Sequence, residues 1–306
     1  MNKEELLKKV RRVEIKTRGL SNDIFAGKYH SAFKGRGMAF SEVRDYRVGD
    51  DVRDIDWNVT ARHGKPHIKV FEEERELTLM LLVDLSASNA FGTTSKFKRE
   101  LATEIAAVLA FSAASNNDKI GCVFFTDRIE QYIPPKKGRS HVLRIISELL
   151  EFEPTGRGTD LSQALEFFSS VQKKRCTAFL ISDFSDFSAP DSSALDLSTG
   201  NASRQVRWEK ALLLASARHD MIGLRLYDER EKEMPKVGIV ELRDAESGVK
   251  QWVDTSSRRV RDEYAVQWVI DDAAIETSLH KSQVDAVSIA TDEDYVMAMI
   301  RLFKMR

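Results

Sequence analysis

The run Asp84-Leu85-Ser86-Ala87-Ser88 carries the most specific chemistry in the sequence, and it follows directly on an apolar segment, 77–84. We predict that this segment is a buried strand, so the run lies at the carboxyl edge of a sheet, where ligands bind in open α/β folds. A loop at that edge can turn two serine hydroxyls and one carboxylate toward a common point. Oxygen ligands of this kind suit a hard cation such as Mg²⁺, which usually keeps several waters.

Two further polar positions are expected at the same edge. Thr159 lies in Gly156-Arg157-Gly158-Thr159-Asp160, a glycine-rich loop before a predicted helix, and Asp183 ends a second apolar segment, 177–182. For the Asp84 run taken alone, the alternative is that its side chains cap the following helix. The addition of Thr159 and Asp183 favours a metal site made of Asp84, Ser86, Ser88, Thr159 and Asp183.

The order of the predicted elements indicates how these residues are positioned. From residue 77 onward, short apolar runs alternate with stretches of helical period, which is typical of a doubly wound α/β fold with a mostly parallel sheet. The predicted strands are 77–84, 120–126, 177–182, 221–227 and 284–289, with 129–133 as an antiparallel partner that Pro134 and Pro135 end. The predicted helices are 97–116, 141–152, 160–171, 206–218, 257–280 and 293–303.

The sequence also indicates a division into two parts. Residues 1–75 are rich in charge and are predicted to form a small β-rich N-terminal subdomain, and residues 76–306 form the α/β domain. A hairpin insertion is expected near 237–254, turned at Glu246-Ser247-Gly248. The serine-rich segment 185–203 shows no period and is predicted to be a mobile loop that overhangs the metal site; the alternative is an insertion without function.

Composition excludes several classes of function. The 306 residues are 42% hydrophobic and 31% charged with a net charge of -1, as expected for an ordinary globular protein without a basic nucleic-acid-binding surface. The first twenty residues lack the apolar core of a secretory signal, and the longest apolar run, 77–83, is too short to span a membrane. We therefore expect a cytoplasmic protein with no membrane span, in which Cys122 and Cys176 are reduced core thiols.

The five candidate ligands resemble the metal-ion-dependent adhesion site (MIDAS) of the von Willebrand factor A fold. That motif is written Asp-x-Ser-x-Ser, then Thr, then Asp, and Asp84, Ser86, Ser88, Thr159 and Asp183 match it. The resemblance implies that the three hydroxyls coordinate Mg²⁺, or Mn²⁺ or Ca²⁺, directly, while the two aspartates act largely through waters. It further implies that an acidic side chain of a protein partner completes the coordination.

A second resemblance covers most of the chain. The segments 36–40, 44–51, 53–57 and 71–76, together with the hairpin region from Glu233 through Gly238 and Gly248, are similar to the bacterial domain of unknown function 58 family. Members of that family commonly accompany MoxR-type AAA+ ATPases. The resemblance therefore implies an adaptor or chaperone-like role beside such an ATPase.

An enzymatic function is the main alternative. Haloacid dehalogenase-type phosphohydrolases also begin at a strand-end Asp with Mg²⁺, but they need a second Asp two residues later, where this chain has Ser86. GxSxG, Walker A and HExxH motifs are absent from the sequence. We therefore expect a non-enzymatic protein-binding module, with a metal-dependent phosphohydrolase and a metal-free scaffold as the alternatives.

An acidic segment in the N-terminal part requires a separate interpretation. It lacks the central Gly and terminal Glu of an EF-hand calcium loop, and arginines alternate with its carboxylates. We predict a structural network of ion pairs formed by Asp50, Asp51, Asp54 and Asp56 with Arg47, Arg53 and Arg62.

Overall fold

The structure is a computed structural model that describes residues 39–47, 49–72, 77–92, 97–187, 205–246 and 248–306. Contacts divide the chain into two compact units, one made of residues 33–77 and one that contains residues 78–306. Of the predicted N-terminal subdomain, residues 1–38, 48 and 73–75 lie outside the described residues.

The smaller unit is an antiparallel strand pair with one short helix. Strand β1 (Ala39–Asp45) pairs with β2 (His67–Glu72), and helix α1 (Trp57–His63) lies between them in sequence. Asp56 begins α1 by accepting hydrogen bonds from two N–H groups of its first turn, and Gly64, at φ 69°, ends it in the left-handed conformation that glycine adopts readily. These residue types at the two ends account for the length of α1.

In the described structure, the carboxylates of Asp50 and Asp51 in the acidic segment of this unit bond to residues close to them in the sequence. Asp50 forms a two-pronged pair with Arg44, both distances 2.8 Å, and also accepts the backbone N–H of Arg47 at 2.7 Å. The hydrogen bond from Arg44 lowers the pKa of Asp50 to about 2. Asp51 accepts the N–H of Arg53, so Arg47 and Arg53 contribute backbone donors to these carboxylates.

The larger unit alternates strands and helices. The strands are β3 (Thr78–Asp84), β4 (Lys119–Phe125), β5 (Ile129–Lys136), β6 (Thr177–Ser182), β7 (Asp220–Tyr227), β8 (Ile239–Arg243), β9 (Lys250–Asp254) and β10 (Asp285–Ala290). The helices are α2 (Lys98–Ser115), α3 (Arg139–Glu151), α4 (Leu161–Val171), α5 (Glu209–Ser216), α6 (Glu229–Lys232), α7 (Arg258–Lys281) and α8 (Tyr295–Met305).

The sheet confirms the predicted fold class. Its strand order is β10-β7-β6-β3-β4-β5, in which every neighbouring pair is parallel except β4 with β5. The predicted hairpin insertion is present as a separate antiparallel pair, β8 with β9. The central strands β3 and β6 are buried along nearly their whole length, which explains why they are continuous apolar runs in the sequence.

Helices cover both faces of the sheet. On one face Met80 and Leu82 of β3 pack in a core with Leu165 of α4, Leu212 of α5 and Leu279 of α7. The alternate β3 residues point to the opposite face, because successive side chains of a strand alternate in direction, and they too are fully buried. This double covering holds the carboxyl edge of the sheet in a fixed position.

One element differs from its prediction, because Pro134 and Pro135 do not end the fifth strand. Strand β5 runs through both prolines to Lys136, and a register irregularity lies between the pairs that Ile120 and Cys122 of β4 make with it. Strand β5 lies at the sheet edge, where a proline that cannot donate a hydrogen bond is tolerated. The prediction was wrong because sequence pattern alone did not identify β5 as an edge strand.

Helix α5 is shorter than the predicted 206–218, and helix α6 was not predicted. Both cysteines are free and buried, as expected. Across the part of the chain that the structure describes, no helix combines the length and apolar character that crossing a membrane requires.

Gly121 provides a test of the β4–β5 edge. A Cβ atom added there would lie 2.9 Å from the Ile133 carbonyl oxygen and 2.9 Å from the Pro135 nitrogen, both backbone atoms. We expect Gly121→Ala to lower the free energy of unfolding by about 1–3 kcal/mol, because the edge must shift to accept the methyl group. Urea denaturation measures the loss. Gly158→Ala is the control, since its added Cβ would meet its nearest neighbours at 3.5 Å and 3.7 Å, and an equal loss in both variants would contradict the prediction.

Candidate metal centre

The parallel pairing of β3 with β6 brings two predicted metal ligands to one edge. Val83 is opposite Ile181 in the register, so Asp84 is level with Ser182, and Asp183 follows one residue later at the same edge. Asp84 is almost completely buried, and both of its carboxylate oxygens accept hydrogen bonds: Oδ1 from the Ser86 N–H at 2.8 Å and Oδ2 from the Ser182 hydroxyl at 2.5 Å. Asp84 is thus held firmly in one orientation.

The two serines of the motif lie together. Their hydroxyl oxygens are 3.0 Å apart, and the side-chain amide of Asn89 donates to Ser86 Oγ at 3.2 Å. Ser86 precedes a short 3₁₀ turn, Ala87–Ala90, but its side chain makes no capping hydrogen bond, and helix α2 begins after Phe97. The structure therefore does not support the alternative that the Ser86 side chain caps a helix.

The glycine-rich loop is joined to the serine loop through the backbone. The Ala87 N–H donates to the Arg157 carbonyl at 2.9 Å, and the Asp160 N–H donates to the Thr126 carbonyl at 3.0 Å. The hydroxyl of Thr159 donates to Glu246 Oε1 at 2.6 Å. Thr159 is thus in the adjoining loop, and the described hydrogen bond of its hydroxyl goes to the β8–β9 hairpin, whereas Asp84, Ser86, Ser88 and Asp183 form one cluster.

Asp183 is part of a buried ion pair that was not predicted. Lys98, the first residue of α2, is only 1% exposed, and its ammonium group lies 2.9 Å from Asp183 Oδ2 and 2.6 Å from Glu231 Oε1. The other oxygen of Asp183 accepts the Ser185 N–H at 3.0 Å. The Ser88 hydroxyl also hydrogen-bonds to Asp183, which joins the second half of the site to the first.

The two aspartates differ in their ionisation. Burial, and then the neighbouring charge of Asp183, raise the pKa of Asp84 above its ordinary value. Burial also acts to raise the pKa of Asp183, but the charge and hydrogen bond of Lys98 outweigh it, so that the pKa of Asp183 is lowered. The Lys98 ammonium group therefore neutralises the Asp183 side of the site, and among the described residues no cationic side chain forms an ion pair with Asp84.

Glu246 adds a third carboxylate. It belongs to the turn between β8 and β9, and its backbone N–H donates to Asp244 Oδ1 at 3.0 Å. Burial raises the pKa of Glu246, the Thr159 hydrogen bond opposes this, and the negative charge of Asp183 adds to the increase. The carboxylate thus lies close enough to the aspartates to be repelled by them.

The donor set fits a hard divalent cation. In an octahedron with metal–oxygen distances of about 2.1 Å, oxygens at adjacent corners are ~3.0 Å apart, and this is the separation of the two serine hydroxyls. Lys98 is shared between Asp183 and Glu231, so its charge does not balance the carboxylates of Asp84 and Glu246 as well. In the described ranges no group of three His, Cys, Asp or Glu side chains is arranged to hold a metal.

Sequence reasoning missed Lys98, Ser182, Glu231 and Glu246. Lys98 carries one usable signal, because a cation in the first turn of a helix is disfavoured by the helix dipole and indicates a compensating acid nearby. Glu246 was assigned only to a turn. Nothing in the local sequence shows that this turn reaches Thr159.

The segment after Asp183 is described only as far as residue 187. Asp186 accepts the Leu161 N–H at 3.0 Å and pairs with Arg207 at 2.6 Å, which fastens this segment to the start of α4. Most of the predicted overhanging loop, residues 188–203, lies outside the described residues.

A cavity of about 210 Å³ opens beside the site. Its lining includes Asp183, Glu231, Arg225, Tyr264 and Trp268. The guanidinium carbon of Arg225 lies 5.5 Å from the centre of the Trp268 ring, which is cation–π distance. An aromatic and charged recess therefore adjoins the candidate metal position.

This sheet order and the placement of the polar cluster at the carboxyl edge define an α/β protein of the von Willebrand factor A type. Residues 42–273 match the model of the family described as Protein of unknown function DUF58, and the chain belongs to that family.

Relatives and solved structures are similar to the chain over most of its length. Uncharacterized proteins of Mycobacterium bovis and Mycobacterium tuberculosis are each 29% identical to it over 300 residues, which is 97% of this chain and 88% of each relative. An aerotolerance-related membrane protein from Bacteroides fragilis is 13% identical with a TM-score of 0.49, over 75% of this chain and 100% of the other. The SpRpn10 VWA domain is 12% identical with a TM-score of 0.36, over 76% and 96% respectively.

The buried pair of Lys98 with Asp183 and Glu231 leads to a stability prediction. Lys98→Met keeps most of the side-chain volume but leaves a buried carboxylate without its cation, so the free energy of unfolding should fall by about 3–5 kcal/mol in metal-free buffer at pH 7. Urea denaturation measures this loss. Lys250→Met is the control, because it removes an exposed pair with Glu241 and should cost at most about 1 kcal/mol.

The difference in the free energy of unfolding between the wild type and Lys98→Met should become smaller at acidic pH. The lowered pKa of Asp183 contributes stability above the unfolded-state value of about 3.9, and this contribution is lost as the pH falls through the folded-state pKa. If this difference in the free energy of unfolding is the same at pH 3 and pH 7, the ion pair of Lys98 with Asp183 is not its cause.

Proposed function

We propose that this protein is a non-enzymatic, divalent-metal-dependent protein-binding module. Ser86, Ser88 and Thr159 would hold Mg²⁺ directly through their hydroxyls, while Asp84 and Asp183 would act largely through waters. The observation that supports this most is the cluster of two serine hydroxyls between two buried carboxylates at the carboxyl edge of the sheet. When bound, the cation would supply an electrophilic centre that accepts a carboxylate from another protein.

The states of the two aspartates favour binding over hydrolysis. A general base must be free to take a proton from a reacting group. Asp84 already accepts hydrogen bonds on both oxygens, and Asp183 is paired with Lys98. Each aspartate is therefore positioned as a support for the hydroxyls. A metal-dependent phosphohydrolase is the alternative.

Family membership supports the choice of partner. Because members of this family commonly accompany MoxR-type AAA+ ATPases, we propose that the acidic ligand belongs to such an ATPase or to its client. The cavity beside Asp183 adds room for a neighbouring side chain of the partner, with Tyr264 and Trp268 as its aromatic surface. The module would then act as an adaptor that presents a client to the ATPase.

Metal binding can be measured directly. Isothermal titration calorimetry of the full chain should detect one site for Mg²⁺ or Mn²⁺, and Asp84→Ala and Ser88→Ala should weaken it at least tenfold, since each removes part of the ligand set. Ser170→Ala is the control, because this exposed hydroxyl on α4 bonds only to a carbonyl of its own helix among the described contacts. Absence of a binding isotherm for the wild type would favour the metal-free scaffold.

Partner capture separates the adaptor from the enzyme. From an extract of the source cell, the immobilised chain should retain a MoxR-type ATPase in the presence of Mg²⁺ and lose it with EDTA, and Ser88→Ala should retain less. In the same preparation, turnover of p-nitrophenyl phosphate should be no higher for the wild type than for Asp84→Ala. Phosphatase activity that is lost in Asp84→Ala, with no ATPase retained, would replace the adaptor proposal with the phosphohydrolase alternative.

A further inference from the structure

The β8–β9 hairpin places a carboxylate at the candidate metal centre. Glu246 Oε1 lies 2.6 Å from the hydroxyl of Thr159, and a Cβ atom built on Gly158 would lie 3.7 Å from Oε2. Both oxygens of one carboxylate therefore lie over the loop that supplies the threonine ligand. This is the chemical group that a protein partner is proposed to bring to the site.

The charges around Glu246 make its position unusual. The nearby carboxylates of Asp183, Asp186 and Asp244 repel it, and the ammonium group of Lys98 is shared between Asp183 and Glu231. A flexible glutamate side chain on an exposed turn would ordinarily point to solvent, where water screens such repulsion. A divalent cation among the hydroxyls would turn the repulsive surroundings of Glu246 into attractive ones.

The hairpin is fastened at its base. The Thr255 N–H and hydroxyl donate to the Gly238 carbonyl at 2.9 Å and 2.7 Å, and Arg261 of α7 donates to the Thr255 carbonyl at 2.6 Å. At the other end, Asp244 accepts the Glu246 N–H and its own carbonyl accepts the Gly248 N–H. These bonds set the direction in which the Glu246 side chain leaves the turn.

Between base and tip the hairpin has little packing. Every residue of β8 and β9 is exposed except Val240 and Val253, which are half-buried, and the side chains of Ile239 and Trp252 are each 70% exposed. A two-stranded hairpin without a packed face is only marginally stable by itself. The tip can therefore leave the site without disrupting the core.

We infer that Glu246 is an in-chain acidic ligand of the metal centre, so that the hairpin tip closes the site to the carboxylate of a partner until the tip is displaced. This inference rests on the proposed metal-dependent function and specifies its regulation. A partner would have to compete with Glu246, and binding would be coupled to movement of the hairpin.

Water-proton relaxation of the Mn²⁺-loaded full chain tests the inference, because it reports how many waters exchange at the metal. Glu246→Gln removes the charged ligand but keeps nearly the same shape. It should weaken Mn²⁺ binding about tenfold and raise the relaxivity of each bound Mn²⁺ by the contribution of roughly one additional water. Sodium acetate, used as the free carboxylate probe, should then lower the relaxivity of Glu246→Gln and leave that of the wild type unchanged.

Glu241→Gln is the matched control, since it neutralises an exposed glutamate on the same hairpin that pairs with Lys250 rather than with the site. It should behave as the wild type does in all three measurements, and urea midpoints should show that both variants are folded. If the wild type and Glu246→Gln bind Mn²⁺ with equal affinity and equal relaxivity, the inference is wrong while the metal site stands. If the wild type binds no Mn²⁺, the proposed function fails first.

Discussion

The parallel register between β3 and β6 is the constraint on which the candidate site depends. It brings the ends of two buried strands together, so that Asp84 and Asp183 lie close to each other with only a few per cent of their surface exposed. Two carboxylates in such surroundings repel each other strongly because the local dielectric constant is low. Hydrogen bonds from Ser182 and Ser86 to Asp84 offset this repulsion, and so does the ion pair of Asp183 with the ammonium group of Lys98.

This arrangement places the serine hydroxyls, which are candidate metal ligands, beside the carboxylates. The carboxylates accept hydrogen bonds from backbone and neighbouring donors, and the hydroxyl oxygens of Ser86 and Ser88 lie 3.0 Å apart beside them. A first shell made mostly of neutral hydroxyls would leave a bound cation electron-poor. In the proposed function, the chemistry that favours a partner carboxylate would also make the site sensitive to a carboxylate from its own chain, and Glu246 already contacts Thr159.

The hairpin and the sheet edge have different mechanical properties. The sheet is covered by helices on both faces, whereas strands β8 and β9 are exposed along their length. The candidate ligands on the sheet loops are therefore held by a packed core, whereas Glu246, on the exposed hairpin, is proposed to be displaceable. The packed sheet edge and the exposed hairpin thus meet at Thr159, whose loop is bonded to the serine loop while its hydroxyl bonds to the hairpin.

The sequence by itself determined most of the elements and the fold class, because buried parallel strands require long apolar runs and amphipathic helices require a helical period. It also placed Asp84, Ser86, Ser88 and Asp183 at one edge, since strand ends and motif spacing are local properties. Only the tertiary structure decided that Lys98 and Glu231 neutralise Asp183, that Pro134 and Pro135 lie within an edge strand, and that Glu246 contacts Thr159. These are contacts between residues far apart in the chain, or between neighbouring strands. A local sequence pattern does not specify which distant side chain contacts a given residue.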